Sequence, residues 1–241
     1  AMTLAEADQL LLQGKLKAAE EAYRELLGED ENGDAVAGLS VTLAKQGLEK
    51  PYKIVEAEKL LRKSREKFGD NPNVQAATGY VAYVHSKTVA SPAKRDLLLE
   101  AAESLSKKAI DQNPDIVIAQ QTLGMVKIAQ DDIEAAVPPL RKACNLAENC
   151  VNLTLLAQAL LKLDAKDKEA EELVNKALQL KSDYSAARLQ KAIVLSAQGK
   201  NEEAYLELKT IPADLRNSEW HTVAGNIESR HMCGYSVAVH H

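Results

Sequence analysis

Apolar residues recur along this chain at helical spacing, in stripes broken by short polar turns. Ile118, Thr122, Met125, Val126 and Ala129 fall on one helical face. Gln130-Asp131-Asp132 then supplies a turn and an N-cap carboxylate, and Ile133, Ala136, Leu140 and Ala143 restart the stripe on a second helix. The next break comes at Ala147-Glu148-Asn149. This two-helix pattern is copied at long range. Ala102, Ala136, Ala170 and Ala204 succeed one another in steps of 34 residues. The same step links Ser106, Leu140, Val174 and Leu208, and again Ala109, Ala143, Ala177 and Ile211. A period this long means one helix-pair unit repeated and stacked, so chain length does not set a domain count.

The landmarks carry a resemblance. Leu123-Gly124, then Ala136 with Leu140 four residues on, then Ala143, resemble the L-G, A-x3-F and A pattern of the tetratricopeptide repeat family. Pro114, in Asn113-Pro114-Asp115, fills that family's terminal proline slot. Small residues are needed where two helices cross closely, and a bulkier one fills the gap a turn later. The units fall at about 3–29, 33–70, 72–113, 115–149, 151–181 and 184–211, so the resemblance spans 3–211. Units four to six match closely and units one to three more loosely. The resemblance implies an all-α fold: a right-handed superhelix of about six antiparallel helix pairs. Past Ile211-Pro212 the pattern frays, and residues 213–228 read as a C-terminal capping helix anchored by Trp220. Residues 229–241 continue no repeat and read as a vector-derived tail that could still occupy a groove.

Two departures from the repeat stand out. Gly79 to Ala102 is longer than Gly124 to Ala136, and the excess falls in the stretch Ser86 to Arg95. Unit two carries a smaller excess around Gln46 to Pro51. Either the helices are elongated or a loop protrudes. Pro138-Pro139 lies inside a predicted helix and removes two N–H donors, which predicts a kink or irregular turn near Ala135–Val137.

Charge and composition narrow the function. The net charge is -5 with no basic stripe, which argues against nucleic acid as the main ligand. No run approaches the roughly 18 apolar residues of a membrane-spanning helix. The start at Ala1-Met2-Thr3 shows no signal-peptide pattern and reads as a cut edge. Cys144 and Cys150 read as free, packed thiols, with a disulfide as the alternative.

Catalytic signatures are missing: there is no nucleophile motif, phosphate loop or zinc-protease motif. His85 and His221 stand alone as surface or turn residues. His231, Cys233, His240 and His241 are metal-capable, but they sit in the tail, so neither metal nor cofactor is assigned. The expectation is a non-enzymatic scaffold. In tetratricopeptide repeat proteins the first helix of each pair lines a concave groove. Carried over from the Gly/Ala landmarks, the lining here is Tyr80 and Tyr83, then Gln121, Met125 and Ile128, then Gln158 and Lys162, then Leu189 and Ile193. Mainly apolar, with tyrosine and methionine, such a strip fits docking of a protein or peptide segment, unless the chain's own terminal helices cover it. The anionic-tail clamp of one subclass is not supplied, because Gln190 and Asp8 stand at its arginine and asparagine positions. Self-assembly into a homo-oligomer, a domain of a bacterial envelope or secretion protein, and a repeat domain attached to a separate catalytic module remain alternatives. The compartment stays open between cytoplasm and periplasm.

The helix crossing is directly testable. Ala136→Leu is expected to overpack it and to cost about 1–3 kcal/mol in urea denaturation.

Overall fold

The computed structural model describes residues 1–238, with side chains through Arg230. The described chain is all-α. Its helices are α1 (Leu4–Leu12), α2 (Leu16–Glu29), α3 (Gly33–Gln46), α4 (Tyr52–Phe68), α5 (Pro72–Ser86), α6 (Pro92–Gln112) and α7 (Val117–Ala129). They continue as α8 (Ile133–Leu146), α9 (Cys150–Leu163), α10 (Lys168–Leu180), α11 (Ser185–Ala197), α12 (Asn201–Lys209) and α13 (Ser218–Ala238), with a single 3-10 turn at Ala213–Leu215. Contacts divide the chain into two compact units, Ala1–Asp132 and Ile133–His241.

Within the first unit, α1, α3, α5 and α7 pack side by side in chain order. The second helix of each pair, α2, α4 or α6, lies against its own partner and against the first helix of the next pair. The second unit obeys the same plan: α9, α11 and α13 are neighbours in order, and α8, α10 and α12 each pack on the next helix in the chain.

Small residues make these approaches feasible. Ala19, Ala57, Ala102, Ala136, Ala170 and Ala204 are all completely buried. A Cβ on Gly38 would lie 2.3 Å from the Tyr23 ring, and one on Gly79 would lie 3.2 Å from the carbonyl oxygen of Ala102. A side chain at position 79 would therefore crowd α6, and glycine there eases the close approach of α5. Tyr23 is itself fully buried, and its hydroxyl donates to Asp8 across α1 and α2. Burial, reinforced by that carboxylate, raises its phenol pKa.

The turns within pairs repeat as well. Gly14 and Gly199 take positive φ of 73° and 79°, and Asp131 takes the same left-handed seat at 60°. A short Asp side chain tolerates that conformation. Helix starts are capped by Thr3, Asn32, Asn71, Ser91, Asn149 and Asp167, whose side chains accept from backbone N–H groups in the first turn. Pro72 and Pro92 occupy the first helical position, where the missing N–H costs nothing.

Two half-buried carboxylates tie neighbouring pairs together. Glu20 accepts from Lys53 at 2.6 Å, from Gln46 at 2.9 Å and from Arg24 at 2.9 Å, joining α2, α3 and α4. Burial works to raise its pKa, but these three donors outweigh it and hold Glu20 at about 2. Glu103, also the residue after a landmark alanine, accepts from Lys107 and Lys127 at 2.7 Å and from Gln130 at 3.2 Å. Those hydrogen bonds bring it to about 2 as well.

Three expectations meet a definite outcome here. The stretch from Ser86 to Arg95 forms no large loop. Only residues 87–91 separate α5 from α6, and α6 absorbs the rest by running 21 residues. Helix α8 continues through Pro138 and Pro139, so the irregular turn predicted at Ala135–Val137 is absent. The two prolines deprive the carbonyls of Glu134 and Ala135 of partners, but Glu134 is solvent-exposed and Ala135 half-exposed, so water can serve instead. The terminal helix starts at Ser218 rather than 213, because Ala213–Leu215 forms the 3-10 turn and Asn217 caps the start of α13. It also runs on to Ala238, through most of the segment set aside as tail. That stretch contains no proline, and its only glycine is Gly234. Residues 239–241 lie outside the described residues. Cys144 and Cys150 are free and half-buried, and burial pushes the Cys144 thiol up to about 11.

The Glu20 network sets a pH dependence. Its folded pKa of about 2 lies below the ordinary 4.5, so its contribution is complete above pH 4.5 and is lost as pH falls toward 2. Glu20→Gln is expected to remove roughly 2–3 kcal/mol at pH 7 and to flatten the acid limb of the stability curve, as read by urea denaturation between pH 7 and pH 3.

Candidate functional site

In the first unit, the first helices α1, α3, α5 and α7 form a continuous wall. Tyr80 is 8% exposed, and Lys45 from α3 places its Nζ 5.1 Å from the centre of its ring. Burial raises the Tyr80 phenol to about 12. Lys45 reaches solvent, yet the surrounding helices desolvate its ammonium and lower its pKa. One turn along α5, Tyr83 is half-buried, with the Lys87 Nζ 5.2 Å from its ring centre. Met125 and Ile128 of α7 are half-buried, and Met125 packs on the same apolar cluster as Tyr80, Val84 and Tyr83. Gln121 is buried. The sequence-predicted lining thus separates into two sets. Tyr80 and Gln121 belong to the interior, whereas Tyr83, Met125 and Ile128, with Lys45 beside them, offer partly accessible surface.

The second unit places its predicted residues differently. Leu189 of α11 is only 4% exposed and shares a buried cluster with Ala192, Leu195 and, from α13, Ala224 and Ile227. At the start of α13 the Glu219 carboxylate accepts from Gln158 Nε2 of α9 at 3.3 Å and from Gln190 Nε2 of α11 at 3.4 Å. Farther along α13, Arg230 donates to Ser196 Oγ at 3.0 Å. Ile193 stays half-buried and Lys162 is exposed. The chain's own terminal helix therefore engages two of the four residues expected to line this part of the wall.

Local chemistry fixes that helix. Asn217 accepts from the N–H of Trp220, and Trp220 Nε1 donates to the carbonyl of Leu208 at 3.0 Å. The Arg216 guanidinium stacks 4.5 Å over the Trp220 ring. The anchoring role of Trp220 was readable from the sequence; Glu219 was missed. An acidic residue just after a capping Asn was the available signal, but its partners are Gln158 and Gln190, far back in the chain.

No group of three or more metal-capable side chains occurs among the described residues. The side chains of His231 and Cys233, and His240 and His241 altogether, lie outside that description. No described helix is long and apolar enough to cross a membrane.

Comparison with known proteins finds the repeat in part of the chain and the fold in solved structures. The tetratricopeptide repeat family model matches residues 166–227. No curated protein matches the chain. Among solved structures, a thermophilic TPR protein of Thermus thermophilus is 22% identical with a TM-score of 0.63, covering 80% of this chain and 97% of that one. The pilF protein of Pseudomonas aeruginosa is 17% identical with a TM-score of 0.60, covering 92% and 95%. YrrB, a TPR protein with an unusual peptide-binding site, is 20% identical with a TM-score of 0.51, covering 71% and 84%.

The Glu219 contacts carry their own test. Glu219→Ala is expected to cost about 1–2 kcal/mol and to speed hydrogen exchange at the amides of Ala224 and Ile227, while leaving α9 and α11 protected.

Proposed function

We propose that this chain, which belongs to the tetratricopeptide repeat proteins, is a non-enzymatic module that binds a protein or peptide segment on its first-helix wall. The tetratricopeptide repeat fold generally mediates protein–protein interaction. Tyr83, Met125 and Ile128 in the first unit are the anchors, with Lys45 as a nearby cation and Tyr80 as the rigid support behind them. Lys162 and Ile193 supply accessible surface in the second unit.

The observation that carries this reading is the seating of α13. In the second unit a helix already rests against first-helix residues, held by amides gripping one carboxylate and by Leu189 under Ala224 and Ile227. A surface that receives one helix in this way has the chemistry to receive another. In the first unit the corresponding positions of α5 and α7 present tyrosine, methionine and isoleucine. Such side chains gain when a partner removes them from water, and methionine adapts to its shape. The stacked helices hold the wall in place, so the incoming segment bears most of the ordering cost.

The test uses the full chain and peptides selected against it from a displayed library of amphipathic helices. Tyr83→Ala with Met125→Asp is expected to leave the circular dichroism spectrum unchanged and to weaken the selected peptides at least about tenfold by fluorescence anisotropy. Unaltered affinity in the double variant would refute the wall as the binding surface.

A further inference from the structure

A second surface lies on the other face of α5. Helices α4 and α6 flank a cleft of about 590 Å³ whose floor is formed by Val74, Val81 and Ala82 of α5. Leu61 of α4 and Leu98 and Leu105 of α6 make its walls apolar. The volume falls within the range of sites that take a ligand or a few side chains.

Repeat register explains what this cleft lacks. At two other junctions, second helices of adjacent pairs are bridged by an arginine five residues after a landmark alanine and a glutamate one residue before the next landmark. Arg24, five after Ala19, pairs with Glu56, one before Ala57. Arg141, five after Ala136, grips Glu169, one before Ala170, with its two terminal nitrogens at 2.5 and 3.2 Å. The junction between α4 and α6 keeps the arginine, because Arg62 stands five after Ala57. The glutamate position, one before Ala102, is Ala101. Arg62 accordingly makes no ion pair among the described residues, and neither do Arg65 and Lys108, which also line the cleft. The carboxylates present do not fill the gap. Glu58 is already taken by His85, 2.7 Å away, and Asp70 pairs with none of the three cations.

We infer that the cleft between α4 and α6 is a binding site for an acidic peptide segment, which inserts an apolar side chain between Leu61 and Leu105 and supplies the carboxylate that Ala101 withholds from Arg62. Charge complementarity selects this occupant: three unpaired cations ring an apolar slot, so a segment combining leucine-like anchors with glutamate or aspartate satisfies both. The surface is separate from the first-helix wall, because Thr78, Val81, Ala82 and His85 recur at helical spacing on one side of α5, whereas Tyr80 and Tyr83 fall on the opposite side.

The probe is a fluorescein-labelled helical peptide with leucines four residues apart and flanking glutamates, compared with its isostere bearing glutamine at every glutamate. The full chain is expected to prefer the glutamate peptide by about tenfold or more at low salt, with the preference shrinking as salt rises. Ala101→Glu changes an exposed residue and seats a carboxylate on the facing helix. It is expected to erase the preference, as is Arg62→Gln combined with Arg65→Gln. The wall variant Tyr83→Ala with Met125→Asp should retain it, which separates this site from the first-helix wall. Equal binding of the two peptides, survival of the preference in Ala101→Glu, or its loss only in the wall variant would each overturn the inference.

Discussion

Neighbouring helices, both within a pair and between pairs, pack closely because small residues stand where they cross. Gly38 leaves room for the Tyr23 ring, Gly79 leaves room for the backbone at Ala102, and the landmark alanines are completely buried along the whole array. Packing of this kind is local, since each pair needs only its neighbours. It also fixes which faces are free. Once the small residues commit one face of a first helix to its partner, the remaining faces must either meet the next helix or meet solvent. The wall bearing Tyr83 and Met125, and the cleft behind α5, both arise from that partition.

Much of this was legible from residues alone. The 34-residue step of alanines identified the helix pair and its crossing, and Trp220 was readable as the anchor of a closing helix. Other features were not legible, for physical reasons. A double proline in α8 signals a break, yet a helix held by tertiary packing tolerates lost hydrogen bonds whose carbonyls can reach water. The excess length before Ala102 could be loop or helix, and only packing decides that α6 absorbs it. The groove lining was read by analogy of position. Position alone could not tell that Leu189 and Gln158 would be claimed by the chain's own α13, because the claim comes from Glu219 and Ile227, distant in sequence and in a segment outside the repeat.

The two units differ in how far their own helices cover the first-helix face. In the second, amide and apolar positions are engaged by a helix of the same chain. In the first, the corresponding face carries larger apolar side chains and two tyrosines partnered by lysines. Half-buried carboxylates add a further layer of order. Glu20 and Glu103 satisfy several donors each and lock successive pairs in register, so the wall is stiffened by ionic ties as well as by packing. The Arg–Glu bridge forms at two junctions, and at the junction of α4 and α6 the arginine stands without its glutamate. A repeat protein can acquire a site by omission, because leaving out one partner of a recurring pair exposes the chemistry of the other.

The close crossing on which all of this depends is tested most directly by a double-mutant cycle between Gly38 and Tyr23. If position 38 is glycine because the Tyr23 ring fills the space, Gly38→Ala should be strongly destabilising alone and far less so in a Tyr23→Leu background, with a coupling of about 1–3 kcal/mol by urea denaturation. Additive effects of the two substitutions would mean that the ring and the glycine do not meet, and the account of how one helix pair packs on the next would be wrong.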